Sequence, residues 1–221
     1  MKKHLLLTIL IATAITSFAQ PTITYGVRVG ITSSGMRGDA INNFNNVLDF
    51  TRGMVSTKNH TGYFGGGYVS IPVSSNLSVE PALYYSQKGF DMVGAISGKG
   101  ISFLGVKAKA SLITQYIDLP VLLKANLNGF QVFGGPQVSY LAAANLKTSA
   151  GLLGINLLSY KTDATSQFNK WDAALTGGVG YQFSNGFHVM AAYDHGLTKA
   201  DANQNLQSYN HSFKVGVGMG F

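Results

Sequence analysis

The 221-residue sequence contains no cysteine. That absence excludes a disulfide framework, a thiolate metal site and a lipid-bearing cysteine behind a signal peptide. Charge is scarce: Asp, Glu, Lys and Arg make up 11% of the chain, against roughly 25% in typical soluble domains. Beyond the first twenty residues no apolar run approaches the roughly 18 residues of a membrane-spanning helix. His4, His60, His188 and His211 lack metal-ligand spacing. Gly94-Ala95-Ile96-Ser97-Gly98-Lys99 is one residue short of a phosphate loop, and Gly100 stands where that loop needs Ser or Thr. No cofactor is expected.

The start of the chain is an address. Lys2 and Lys3 form a charged region, Leu5 to Ile15 an apolar one, and Ser17-Phe18-Ala19 a cleavage site. Residues 1–19 are expected to leave as a secretory signal peptide, and residues 20–221 to form one domain.

What is present beyond that is spread out. The 27 glycines and the 11% aromatic residues fall into segments of period two: Thr22–Ser34, Thr61–Ser74, Leu77–Phe90, Ser111–Ala125, Phe130–Ala143, Trp171–Phe183, Phe187–Thr198 and Tyr209–Phe221. Each covers the roughly 9–11 residues a tilted strand needs to cross a bilayer. In the last, Phe213, Val215, Val217, Met219 and Phe221 share one face, while Ser212, Lys214, Gly216, Gly218 and Gly220 share the other. The connections alternate. Long ones span 35–60, 91–110 and 144–170; tight ones sit at Ser75-Asn76, Asn126–Gly129 and Ser184-Asn185-Gly186, the last an Asn-Gly hairpin signal. This rhythm predicts an all-β fold: an eight-stranded antiparallel transmembrane up-and-down β-barrel, with short turns and both termini in the periplasm and long loops outside.

Charge parity sharpens the expectation. Arg28, Glu80, Lys88, Asp118, Lys124, Asp172, Asp194 and Lys214 all fall opposite the apolar face of their segment. That is the lumen side, since a charge on the lipid face costs about 2–4 kcal/mol at the midplane. Four bases and four acids can neutralise one another there. Aromatic residues cluster at the segment ends: Tyr25, Phe130, Phe183, Phe187 and Phe221 at one rim, Tyr63, Tyr85, Tyr140, Trp171, Tyr193 and Phe213 at the other. These are the two interfacial girdles of a membrane barrel.

Several stretches resemble the Bacteroidetes outer-membrane barrels called PorT-like, or outer membrane protein beta-barrel domain proteins. They are Tyr116-Ile117-Asp118-Leu119-Pro120-Val121-Leu122-Leu123-Lys124, Gly134-Gly135-Pro136, Gly177-Gly178-Val179-Gly180-Tyr181 and Tyr193-Asp194-His195-Gly196-Leu197. The resemblance spans the mature chain. It implies an integral barrel of the bacterial outer membrane, and a C-terminal aromatic, Phe221, read by the barrel-assembly machinery. Some members serve protein secretion; no residue pattern here carries that role over.

Function is less legible. An acid–His pair such as Asp194-His195 can activate water, but neighbours on a strand point to opposite faces, so no catalytic site and no enzyme is expected. Eight strands leave an interior just wide enough for side chains. A filled, charge-paired lumen is therefore expected, with function in the outer loops: surface contact, adhesion or envelope-assembly support. The alternative is a small solute pore. An outer-membrane enzyme, or a soluble lipocalin-type barrel with apolar residues inside, fits less well. Once Lys2 and Lys3 leave, fourteen bases face nine acids, and the whole excess lies in the loops. Contact with lipopolysaccharide phosphates, through Lys99, Lys107 and Lys109, is expected; nucleic acid is not an expected partner.

Overall fold

The computed structural model describes residues 22–38, 55–95, 107–152, 155–201 and 207–221. The expected signal segment, Lys99 and the side chain of Lys107 lie outside what is described.

Alternation along the chain becomes nine strands: β1 (Thr24–Arg37), β2 (Val55–Pro72), β3 (Leu77–Ala95), β4 (Lys107–Leu127), β5 (Phe130–Leu152), β6 (Ile155–Asp163), β7 (Trp171–Gln182), β8 (Phe187–Lys199) and β9 (Tyr209–Gly220). Eight of them close into an antiparallel barrel. β1 to β5 pair in chain order, β5 pairs β7, and β9 returns to β1 from Gly26↔Gly220 to Arg37↔Tyr209. Closure leaves no sheet edge in the lipid, which a membrane-spanning sheet requires. Val27, Val29 and Ile31 stand outward, each more than half exposed, while Arg28 among them and Thr32 just beyond are buried.

The tight turns follow from local chemistry. Asn128 (φ 54°) and Gly129 (φ 93°) form a two-residue hairpin turn between β4 and β5. Positive φ at both positions matches the twist of the flanking strands. The Asn126 side chain accepts the Gly129 amide at 2.9 Å. At Gly186 (φ 84°) the β7–β8 turn closes with its amide donating to Phe183 O, 3.2 Å.

The strands overrun the expected loops at the other end. β2 starts at Val55, β3 runs to Ala95, β4 starts at Lys107 and β5 runs to Leu152. A ninth strand, β6, which the alternation does not predict, pairs with the outer part of β5 from Asn145↔Asp163 to Leu152↔Ile155. The reason is physical: beyond the lipid both faces of a sheet meet water, so period-two polarity is no longer demanded. β5 changes partner from β7 to β6 past Tyr140. The freed groups are satisfied by the chain that links β6 to β7. Lys170 O accepts the Leu141 amide (2.8 Å), and the Thr165 hydroxyl accepts the Ala144 amide (2.9 Å). Phe168 packs against Tyr116, Leu141 and Ala144 to seal the junction.

Candidate functional site

The lumen is built from the inward residues of all eight barrel strands; among the described residues, eight of those below the outer strand ends are charged. Each is at most 7% exposed, so each must be paired or hydrogen-bonded. Two groups result, one toward the tight turns and one toward the loops.

At the turn end Glu80 of β3 bridges two bases. Arg28 donates to one of its oxygens at 2.9 Å, and Lys124 binds the other. The guanidinium also donates to the Tyr84 hydroxyl (2.7 Å) and to His188 Nε2 (3.0 Å). It lies 4.5 Å from the Tyr68 ring centroid. A hollow of about 260 Å³ opens at this end, lined by Tyr68, Lys124 and Gln131 among others.

At the loop end Asp118 of β4 is fully buried and takes Lys88 (3.1 Å), Lys214 (3.4 Å) and the Ser86 hydroxyl (2.7 Å). Lys214 reaches on to Asp194 at 2.6 Å, which also accepts from Ser212 and Thr176. Asp172 is different. One oxygen accepts from Asn210 at 2.8 Å; the other is buried without a partner. Lys124, on the same strand as Asp118, serves Glu80, while Asp118 draws its bases from β3 and β9.

An apolar layer separates the groups. Phe64, Leu122, Phe133 and Met190 are buried there, and Phe64 meets Tyr84 edge-on at 5.7 Å. The neutral partners Tyr84, Tyr116, Ser86 and Asn210 were not singled out from sequence. Their shared parity with the charges was the available signal.

The outer ends carry two further clusters. In one, Asp91 takes Lys109 at 2.7 Å and His60 at 3.1 Å. Burial raises the Asp91 carboxyl, but hydrogen bonds from Lys109, Ser111 and His60 outweigh it and hold the group below its ordinary value. Lys109 thus has an acid partner within the protein, though its side chain stays 45% exposed. In the other, His195 and Arg37 meet on the outer face, with Arg37 Nη2 at 2.7 Å from both His195 Nε2 and Gly196 O. Asp194 points inward and His195 outward, so the adjacent pair shares no site. Gly94 and Ala95 end β3, and the rest of that glycine-rich stretch lies outside the described residues. Phe221 is 74% exposed at the turn end, its backbone paired with Tyr25.

The family described as outer membrane protein beta-barrel domain matches residues 18–202 of the chain. No curated protein matches the sequence significantly. Among solved structures, Ail, the attachment invasion locus protein of Yersinia pestis, was determined in complex with the heparin analogue sucrose octasulfate. It is similar at 13% identity and a TM-score of 0.45, over 91% of this chain and 100% of that one. Neisserial surface protein A is similar at 11% identity and a TM-score of 0.42, over 91% and 100% of the two chains. These likenesses concern the fold alone.

Proposed function

Given that this chain belongs to the outer membrane protein beta-barrel domain family, we propose that it is a non-conducting, non-enzymatic barrel whose work is done at the outer ends of its strands. That work is surface contact, adhesion or support of envelope assembly. In this reading both termini face the periplasm, Phe221 serves the assembly machinery, and the chain is of the Bacteroidetes PorT-like kind. The outer loops, with Lys99, Lys107 and Lys109, rest on lipopolysaccharide.

One observation carries the filled lumen: eight charged side chains line it, yet none is more than 7% exposed. A water-filled channel would wet them. A soluble lipocalin-type barrel is disfavoured by polarity, since the apolar residues stand outward and the charges inward. Purified protein, shown to be folded by its heat-dependent mobility on a gel, is expected to give no steady ion current in planar bilayers. Reproducible unitary conductance would instead establish the pore.

A further inference from the structure

Tyr193 of β8 and Phe213 of β9 belong to the outer aromatic girdle and are exposed. Two residues farther along each strand, on the same outward face, stand His195 and His211, which lie opposite one another in the β8–β9 ladder. On the neighbouring strand Gly35 faces His211, and Arg37 faces Tyr209. A Cβ at Gly35 would meet the His211 ring at 2.9 Å, so the missing side chain makes room for it. The Arg37 guanidinium lies 5.3 Å from the Tyr209 ring centroid and reaches back to His195. Three basic groups from three strands therefore converge on the outside of the wall.

The carboxylates of Glu80, Asp91, Asp118 and Asp194 pair with other bases, not with any of these three. Arg37 Nε and His211 Nδ1 are buried without hydrogen-bond partners. Height matters as much as charge. Two residues of a tilted strand place the histidines about 5 Å beyond the girdle rings. A headgroup layer extends roughly 5–7 Å beyond the hydrocarbon core. Within it, a phosphate is the anion expected on the outer surface of such a wall.

We propose that Arg37, His195 and His211 form a phosphate-binding site on the outer rim, occupied by the phosphorylated headgroup of an outer-leaflet glycolipid. The site deepens the lipid contact proposed above by extending it from the outer lysines to the barrel wall, and it rests on the loop end facing outward. Arg37 supplies a fixed charge, since a guanidinium does not deprotonate in proteins. The histidines add donors, and Tyr209 and Tyr193 flank them with amphipathic rings.

The test is binding of diphosphorylated lipid A by the detergent-folded full chain, followed by native mass spectrometry. Dephosphorylated lipid A and free inorganic phosphate serve as the other arms. The triple variant R37Q/H195Q/H211Q is expected to bind the phosphorylated lipid about ten-fold less tightly. It should keep its heat-dependent gel mobility, and R37K should retain most of the binding. The variant K99Q/K107Q/K109Q is expected to lose less of the binding than the rim variant. Unchanged affinity in the folded rim variant overturns the site, as does equal binding of the dephosphorylated lipid. Inorganic phosphate binding as tightly as the lipid overturns the lipid occupant. Loss in the lysine variant with retention in the rim variant overturns the rim site while keeping the loop reading. Bilayer conductance separately decides whether the barrel itself is closed.

Discussion

Replacing Asp118 with Ala is expected to cost the folded barrel about 3–5 kcal/mol, because it strands buried base without its acid. Lys88 is 4% exposed, and Asp118 is the one carboxylate in the described residues that pairs with it. Lys214 loses less, since Asp194 remains at 2.6 Å. Urea unfolding from phospholipid vesicles measures the effect. Two comparisons give it meaning. The double variant D118A/K88M should recover most of the loss, because removing both members of a buried pair spares the desolvation of the survivor. D172N should change stability by less than about 1 kcal/mol: its partner is the neutral Asn210, and its second oxygen is already without one. Equal losses for D118A and D172N would mean that charge pairing is not what the lumen network contributes.

Phe64→Ala is expected to cost about 3–5 kcal/mol through the cavity it leaves. Phe64 is 3% exposed and lies at the level where the two charged groups approach, edge-on to Tyr84 and 5.7 Å from Lys214 Nζ. Its ring sits over Gly30 of β1 and Gly216 of β9; a Cβ on Gly216 would come within 2.7 Å of it. Two glycines offer no side chain that could lean in and fill the space, so relaxation is limited. The same vesicle unfolding assay reads this out. A loss below about 1 kcal/mol would show that the interior collapses readily and that the apolar layer is not a packed partition.

Much of the barrel was written in the chain. Each membrane-crossing segment has lipid on one face and a crowded lumen on the other, so its residues must alternate. Val215, Val217 and Met219 against Lys214, Gly216 and Gly218 carry that imprint, as does the inward parity of Arg28, Glu80 and Asp118. Turn chemistry survives too, because Asn128-Gly129 answers to its own backbone angles. The sequence lost its grip past the outer girdle. β6 (Ile155–Asp163) has no alternation to read, since beyond the lipid none is imposed.

Closure alone decided which charges meet. Parity assigns Asp118 to the lumen but is silent about partners 96 residues away such as Lys214. That meeting depends on the stagger accumulated around all eight strands, which also puts Lys124 beside Glu80 rather than beside Asp118. The outer rim follows the same rule. Arg37, His195 and His211 come from three separate segments, and nothing local in any of them announces the others. Only the β1–β9 and β8–β9 registers bring them onto one patch of wall. The alternation of single residues was fixed by the two media each strand divides; the company each residue keeps was fixed by how the sheet bends to close.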